Sequence, residues 1–337
     1  MKADVTNAAS TKYPFTVSYS LDIKRLINIL KAEFSYALSL LGIVRVRHLP
    51  TFVSVEPANF CQLHCPECPV GKRESGSKKV LTITDFKRLL EQVKGTVHTM
   101  QFFFQGEPLL NKDLPQMIQL AHEAGLFTIV STNALAVTPL LAKQLMQSGL
   151  NRIIVSIDGL SEESYGAYRV GGSLHKAMEG LIALRQAKDT TGSRTHIELQ
   201  MLRLRSNENE WSTISQRYRK MGADSLTLKT AQLYDYQHGH PLMPTNEKYS
   251  RYVKRKDGLY HLKRKPGRSC YRLWTGCVIT VNGDVLPCCY DKTGQYSFGN
   301  IFTSSLSDIY HSDKANRFRK SVLRKRSTLQ ICSNCEP

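Results

Sequence analysis

A chain of 337 residues is long enough for about two domains, and its 41% hydrophobic and 22% charged content is typical of a globular protein. The net charge of +18 suits either a solvated basic surface or a polyanionic partner, such as nucleic acid, an anionic membrane or a phosphorylated substrate. The sequence shows no secretory signal and no apolar run long enough to span a membrane. We therefore expect a cytoplasmic protein whose clustered cysteines serve as metal ligands or redox groups.

A helix is the first element that the sequence predicts. Apolar residues recur at helical spacing over residues 23–41, and Gly42 follows as a stop signal. We expect this apolar stripe to pack against the rest of the protein. The neighbouring Lys24, Arg25 and Lys31 keep a second interpretation open, in which the helix lies on a membrane surface.

From residue 52 onward, strand-like segments alternate with helix-like segments. The predicted strands are 52–57, 100–105, 127–132, 152–157, 196–201 and 225–230. The predicted helices between them are 84–93, 114–124, 139–148, 174–187 and 209–221. Such alternation builds a parallel sheet, either doubly wound or part of a β/α barrel. Both arrangements place the functional site at the carboxyl ends of the strands.

Three cysteines follow the first predicted strand, in the sequence CQLHCPEC that holds Cys61, Cys65 and Cys68. A structural zinc site uses four ligands, so this loop would need a distant fourth ligand to hold zinc. Three thiolates from one loop suit a cubane iron–sulfur cluster that leaves one iron open. Polar residues and glycine also gather after the next three strands, at 106–108, 131–133 and 156–159. These strand ends indicate a shared site.

The cysteine loop and the strand ends together resemble the radical S-adenosylmethionine (radical SAM) superfamily. In that family the C-x3-C-x2-C loop binds a [4Fe–4S] cluster, which reductively cleaves SAM to a 5′-deoxyadenosyl radical that abstracts a substrate hydrogen. The resemblance covers roughly residues 52 to 335 and implies a partial (β/α)6 TIM-like barrel. The residues that it places near SAM are Gly106, Glu107, Ser131, Asn133, Ser156, Asp158, Arg169 and Gln200.

Some of these positions carry a specific implied role, and two positions depart from the family pattern. Gly106 and Glu107 match a GGEP-like segment that lines the SAM amino group, and Arg169 resembles an arginine that pairs with the SAM carboxylate. Gln105 stands where the first glycine of that segment is expected. Glu67 stands where many relatives carry an aromatic residue against adenine, which puts adenine stacking at this position in doubt.

A second set of cysteines lies in the C-terminal tail, where Asn282-Gly283 predicts a β-hairpin. The tail resembles the twitch domain, a short relative of the SPASM domain that binds one auxiliary [4Fe–4S] cluster. Cysteines fall on its matching positions at Cys270, Cys288, Cys332 and Cys335. The remaining Cys277 and Cys289 are interpreted as thiols that are not ligands. A zinc ribbon would use the same four ligands, so spacing alone leaves that alternative open.

These patterns predict a domain organisation. Residues 1–51 form an N-terminal helical extension, 52–231 the radical SAM partial barrel, 232–268 a basic linker and 269–337 the SPASM/twitch domain. An auxiliary cluster with four thiolates has no open iron, so it would accept an electron rather than bind substrate. The resemblance therefore implies a radical SAM oxidoreductase-type enzyme that performs dehydrogenation or bond formation on a small sugar-like or peptide substrate.

Two alternatives and several partners accompany this prediction. The basic runs at 251–268 and 314–326 are compatible with a first alternative, an RNA-modifying radical SAM protein. The second alternative is a non-catalytic iron–sulfur or zinc scaffold. The expected partners are a small-molecule or peptide substrate and an electron donor such as flavodoxin or ferredoxin. Nucleic acid is a less favoured partner. No catalytic side chain is assigned beyond the cluster.

Overall fold

The centre of the fold is a ten-stranded mixed sheet in a computed structural model that describes residues 5–7, 22–72, 77–264 and 266–335. The strands are β1 (Val5–Asn7), β2 (Phe52–Val55), β3 (Thr99–Phe102), β4 (Phe127–Thr132), β5 (Arg152–Ser156), β6 (His196–Arg203), β7 (Ser225–Thr230), β8 (Tyr252–Lys254), β9 (Tyr260–Leu262), β10 (Gly276–Ile279), β11 (Asp284–Leu286) and β12 (Gly299–Asn300). Strands β8 and β9 form a separate antiparallel pair.

Helices connect most of these strands. They are α1 (Ile23–Leu40), α2 (Ile83–Val93), α3 (Leu114–Glu123), α4 (Pro139–Gln147), α5 (Glu162–Gly166), α6 (Leu174–Thr191), α7 (Trp211–Arg217), α8 (Tyr271–Thr275), α9 (Leu306–His311), α10 (Asp313–Lys325) and α11 (Gln330–Ser333). Three of the helices have an N-cap side chain that accepts a hydrogen bond from a backbone N–H of the first turn. These residues are Thr82 for α2, Thr138 for α4 and Ser173 for α6.

The order of the strands confirms the predicted partial barrel. It runs β1-β7-β6-β5-β4-β3-β2-β10-β11-β12, and neighbouring strands from β1 to β10 are parallel. Strands β2 to β7 and the helices between them are therefore the six β/α units expected from the sequence. Strands β2 and β7 do not pair with each other, so the barrel stays open.

The two faces of the barrel strands differ in polarity because successive side chains point to opposite faces. The outward face packs against the helices and has no exposed surface at Val53, Val55, Met100, Phe102, Val130 and Val155. Burying each such side chain contributes roughly 1.5–3 kcal/mol to stability. The inward face carries Ser54, Gln101, Ser131, Ser156 and Gln200. Its polar groups are thus available to a ligand inside the barrel.

Strand β3 ends earlier than its apolar sequence predicts. The run MQFFFQ predicts a strand to residue 105, but β3 ends at Phe102. Phe103, Phe104 and Gln105 leave the strand and line a cavity at the carboxyl end of the barrel. The two phenylalanine rings therefore form part of the cavity wall and not of the sheet.

Helix α1 has the predicted length, but the expectation for its packing was wrong. Gly42, with a φ of +85°, follows its end as predicted. The apolar stripe faces away from the body, with Leu30 60% and Phe34 62% exposed. The side chains buried against the body are Arg25, Asn28, Ala32, Ser35 and Ser39. Within the described residues no helix is long and apolar enough to cross a membrane.

The C-terminal segment extends the barrel sheet. Strand β10 pairs in parallel with β2, in a register that places Cys277 opposite Val53, and β11 and β12 follow as antiparallel strands. The predicted hairpin turn is present. Gly283 has a φ of +87°, and a Cβ atom there would lie 2.4 Å from the Phe302 ring, so the turn requires glycine.

Candidate functional site

A cavity of about 390 Å3 lies at the carboxyl ends of the barrel strands, a size within the range of small-molecule pockets. Its lining includes the three loop cysteines and most of the residues predicted near SAM, namely Cys61, Cys65, Cys68, Gly106, Glu107, Ser131, Asn133, Ser156, Arg169 and Gln200. Asp158 is the exception. It is 1% exposed and supports Arg169 from behind the cavity wall.

The cysteine loop presents its thiols to this cavity. The Cys61 Sγ accepts hydrogen bonds from the Leu63 N–H at 3.4 Å and the Asn133 side-chain amide at 3.5 Å. Burial raises the pKa of Cys61 to about 11. Gly71 allows the loop to fold back, because a Cβ atom there would lie 2.7 Å from the Cys65 backbone. N–H groups aimed at sulfur are typical of iron–sulfur sites, where they tune the cluster potential.

The Gly-Glu-Pro turn after β3 holds this loop in place. A Cβ atom on Gly106 would lie 2.0 Å from the Ala58 carbonyl oxygen, so only glycine fits. The Glu107 carboxylate accepts hydrogen bonds from the Thr132 hydroxyl at 2.6 Å and from the Asn133 N–H at 2.9 Å. Burial raises the pKa of Glu107 in spite of these hydrogen bonds. Glu107 thus fixes the ends of β3 and β4 to each other, and its predicted contact with the SAM ammonium stays a prediction.

Arg169 and Asp158 form a buried ion pair beside the thiols. The Arg169 Nε donates to the Asp158 Oδ2 at 2.6 Å, and the other Asp158 oxygen accepts from the Leu202 N–H at 2.6 Å. Burial by itself lowers the pKa of Arg169, but the Asp158 carboxylate and the nearby Cys65 thiol raise it above the usual value. The guanidinium is therefore permanently charged at the cavity wall, as a partner for a carboxylate requires.

Glu67, the departure from the family pattern, has a structural role. Its carboxylate is buried and accepts a hydrogen bond from the Tyr234 N–H at 2.5 Å, and it lies 3.6 Å from the His240 Nε2. It therefore ties the cysteine loop to the segment after β7. Aromatic surface at the cavity comes instead from Phe103 and Phe104, which the sequence analysis had assigned to a strand.

Lys292 is a cavity residue that sequence reasoning missed. It comes from the C-terminal segment, and its carbonyl accepts a hydrogen bond from the Gln105 side-chain amide. Its ammonium lies 5.3 Å from the centre of the Tyr234 ring. No local pattern signals this position, because its hydrogen-bond partner Gln105 is 187 residues away in the sequence. The tail therefore contributes to the same cavity as the barrel.

The structure brings the predicted second set of cysteines together, namely Cys270, Cys288, Cys332 and Cys335. Burial, together with the nearby Cys270 thiol, raises the pKa of Cys332 to about 11. Burial, the Cys289 and Cys270 thiols and the Cys332 thiol raise the pKa of Cys288 well above its usual value. The Arg326 Nη2 donates to the Cys335 Sγ at 3.6 Å. These four thiols occupy one region of the C-terminal segment.

The other two tail cysteines differ in their relation to this set. Cys277 is buried in β10 beside Arg319 and Tyr310, and burial raises its pKa to about 12. Cys289 adjoins the second set and accepts a hydrogen bond from the Arg272 guanidinium at 3.4 Å. Cys277 is therefore a buried thiol on β10, and the absence of a ligand role for Cys277 and Cys289 stays a prediction.

The number of thiols in each set bears on the group that it could hold. Among the described residues, which include all nine cysteines, no three His, Cys, Asp or Glu side chains converge closely enough to hold one ion. Zinc in a structural site takes four ligands. Three thiolates suit a cubane cluster with one open iron, and four suit either a closed cluster or a zinc site.

Comparison with protein families agrees with this geometry. Residues 55–197 match the radical SAM superfamily, and residues 270–336 match an iron–sulfur cluster-binding domain of the SPASM type. The chain is a radical SAM superfamily protein with a C-terminal SPASM domain. Its first domain binds a [4Fe–4S] cluster together with SAM, and its second binds auxiliary iron–sulfur clusters.

Two curated relatives agree with these family matches, and a solved structure agrees with the fold. The chain is 26% identical over 312 residues to the PqqA peptide cyclase of Rhizobium meliloti, covering 85% of this chain and 80% of that protein. It is 26% identical over 161 residues to the AdoMet-dependent heme synthase of Methanosarcina barkeri, covering 46% of each chain. The crystal structure of BtrN in complex with AdoMet and 2-DOIA superposes with a TM-score of 0.52 at 21% identity, covering 86% of this chain and 94% of that one.

Proposed function

We propose that this protein is a radical SAM oxidoreductase that removes hydrogen from a small sugar-like or peptide substrate carrying an anionic group, while one auxiliary [4Fe–4S] cluster accepts an electron. The observation that carries this proposal is that the first thiol set and a residue of the tail line the same cavity. Cys61, Cys65 and Cys68 line it from the barrel, and Lys292, four residues after Cys288, lines it from the tail. A substrate in the cavity would lie between the two clusters.

The chain's residues divide into cluster ligands and groups that orient SAM. Cys61, Cys65 and Cys68 would hold the first cluster, which together with SAM supplies a 5′-deoxyadenosyl radical. Asp158 keeps Arg169 charged and oriented toward the SAM carboxylate. The residues proposed to complete the SAM pocket are Gly106, Glu107, Ser131, Asn133, Ser156 and Gln200. A flavodoxin or ferredoxin in the cytoplasm is the proposed electron donor, in keeping with nine cysteines that are all free.

The second set of thiols would hold the auxiliary cluster. With Cys270, Cys288, Cys332 and Cys335 as its ligands, every iron has a protein thiolate and no position is open to substrate. Arg326 donates to Cys335, and Arg272 donates to the adjacent Cys289. Positive charge beside a cluster stabilises its reduced form. This environment supports a role as electron acceptor.

Lys229 supports an anionic substrate. It lies on β7 in register with Leu202, which lines the cavity, so both side chains share the inner face of the barrel. Burial, together with the nearby Arg272 and Arg152 guanidiniums, lowers the pKa of Lys229 to about 8. The neighbouring Cys289 thiol acts in the opposite direction. An ammonium among other cations is a binding site for a carboxylate or phosphate group.

The pH dependence of the reaction should report on Lys229. Its pKa is below the usual value, so the ammonium is charged below about pH 8 and neutral above it. We expect kcat/KM for an anionic substrate to fall as the pH rises through about 8. Lys229→Arg should remove this fall, because a guanidinium stays charged. The measurement is the formation of 5′-deoxyadenosine, as a function of pH, in the presence of phosphorylated sugars, sugar acids or acidic peptides. The same pH dependence in the wild type and in Lys229→Arg would contradict the role of Lys229 in binding the anionic group.

Loss of the auxiliary cluster should separate SAM cleavage from substrate oxidation. We expect Cys332→Ser/Cys335→Ser to lose about four irons per chain and to form no oxidised product, while still producing 5′-deoxyadenosine. The oxidised product, two mass units lighter than the substrate, is measured by mass spectrometry. Cys277→Ala serves as the matched control and should keep all its iron. Product formation that survives loss of the second cluster would exclude the electron-acceptor role.

A further inference from the structure

Helix α1 presents an exposed apolar stripe, here called the outer face of α1. It consists of Ile23, Leu26, Ile27, Leu30, Phe34 and Leu41, which are between 39% and 75% exposed. These positions follow the 3.6-residue helical period and therefore form one continuous surface. Single exposed apolar residues are ordinary, whereas a contiguous patch marks an interaction site.

Hydrogen bonds on the opposite side of α1 hold this face outward. The Arg25 guanidinium donates to the carbonyl oxygens of Lys94 and Gly125, both at 2.6 Å. The Asn28 side chain donates to the Leu49 carbonyl and accepts from the Leu49 N–H, both at 3.0 Å. Turning the helix to bury its apolar side would break these bonds and leave buried polar groups unsatisfied. The exposure of the stripe is thus built into the fold.

Basic side chains border the outer face of α1. Lys24 and Lys31 are exposed along one edge of the stripe, and Arg45 and Arg47 are exposed in the segment that follows the helix. Glu33, the acidic residue within α1, accepts a hydrogen bond from a tyrosine hydroxyl of α8. Apolar residues flanked by lysine and arginine are typical of helices that lie in the headgroup region of a bilayer.

A second basic surface lies beside the end of α1. Arg268 contacts Gly42 just after the helix, and its Nε donates to the Leu323 carbonyl of α10 at 3.0 Å. Helix α10 exposes Lys314, Arg317, Lys320, Arg324 and Lys325. An anionic surface would be attracted to these charges as well as to the stripe. A second copy of this chain would instead bring another net charge of +18 to the contact.

We propose that the outer face of α1 is a docking site for an anionic lipid bilayer, with the helix lying in the plane of the membrane. The apolar side chains enter the boundary between headgroups and acyl chains, and the bordering lysines and arginines contact the anionic headgroups. The proposal is independent of the reaction at the cavity. The affinity for the membrane has two separate contributions, the burial of apolar side chains and the attraction between charges. Each can be varied without the other.

Co-sedimentation of the full-length reconstituted protein with lipid vesicles tests this site. Vesicles of phosphatidylcholine with about 30% phosphatidylglycerol are compared with vesicles of phosphatidylcholine alone, at about 0.1 M salt so that charges within about 10 Å still interact. We expect the anionic vesicles to bind at least about tenfold more tightly. Ile27→Ser/Leu30→Ser/Phe34→Ser should reduce that binding by about tenfold or more, while SAM cleavage stays unchanged.

Two further variants serve as controls. Leu140→Ser/Ile182→Ser removes exposed apolar side chains of α4 and α6, and should bind vesicles as the wild type does. Lys24→Gln/Lys31→Gln should weaken binding to anionic vesicles by about tenfold and leave weak binding to neutral vesicles unchanged. If both variants behave as expected, vesicle binding is assigned to the outer face of α1 and to the basic residues that border it.

Two results would overturn the proposal. The first is anionic vesicle binding that is absent, or that survives the triple serine change and so comes from the basic surface alone. The second is a dimer in light scattering without lipid that the triple change converts to a monomer, because the outer face would then join two copies.

Discussion

Replacing Cys61, Cys65 and Cys68 by alanine is expected to abolish SAM cleavage while the auxiliary cluster remains. These thiols are the cavity-lining set, and SAM needs the open iron that only a three-thiolate cluster provides. After anaerobic reconstitution, iron should fall from about eight to about four per chain. The formation of 5′-deoxyadenosine from SAM and dithionite should fall to the level of the protein-free reaction.

Cys277→Ala provides the matched control for this change. Its thiol is buried in β10, beside Arg319 and away from both sets, so cluster content and SAM cleavage should be unaffected. A wild type that binds zinc in place of iron, or that binds iron without cleaving SAM, would contradict the proposed reaction. A variant that loses all eight irons would show that the two sites depend on each other for folding.

Changing Asp158 to asparagine is expected to cause the second large effect. The carboxylate is 1% exposed and holds the Arg169 guanidinium at 2.6 Å, so its loss leaves a buried charge without a partner. Breaking such a pair typically costs about 3–5 kcal/mol in the free energy of unfolding. We also expect SAM to bind at least about tenfold more weakly, because Arg169 loses its orientation. Chemical denaturation and equilibrium binding of SAM measure the two effects.

A double change separates the stability of this pair from its role in binding. Asp158→Leu/Arg169→Met removes both charges, so part of the lost stability should return while SAM affinity stays low. Asp189→Asn is the control, because its pair with Arg185 is 62% exposed on the aspartate side and should change stability little. If Asp158→Asn binds SAM as tightly as the wild type, then Arg169 does not hold the SAM carboxylate.

The barrel was predictable because its signals are local and periodic. Each of its six strands is an apolar run bounded by turn or loop residues, and the observed strands begin within one residue of the predicted starts. Functional sites in parallel β/α folds lie at the carboxyl ends of the strands. This rule predicts a position in the site for Ser131, Ser156 and Gln200, and all three line the cavity. Cysteine spacing likewise indicated both thiol sets.

Other features depended on contacts between distant segments and were not predictable in this way. The stripe on α1 was detectable, but its direction is set by Arg25 bonding to carbonyls about 70 and 100 residues away. Lys229 lies within a strand, where no motif distinguishes it, and its lowered pKa arises from the fold around it. Lys292 reaches the cavity only because the tail packs beside the barrel. A sequence pattern indicates the chemistry of a side chain, whereas the fold determines which residues that side chain contacts.

The parallel pairing of β10 with β2 has a consequence for electron transfer. Strand β2 leads into the first cysteine loop, and its neighbour β10 pairs in turn with β11, the strand that precedes Cys288. The two thiol sets are therefore joined through one hydrogen-bonded ladder and not by a hinged connection. Under the proposed function, an electron that reaches the auxiliary cluster would cross a distance that the sheet holds fixed. Domain motion would then have no part in timing that step.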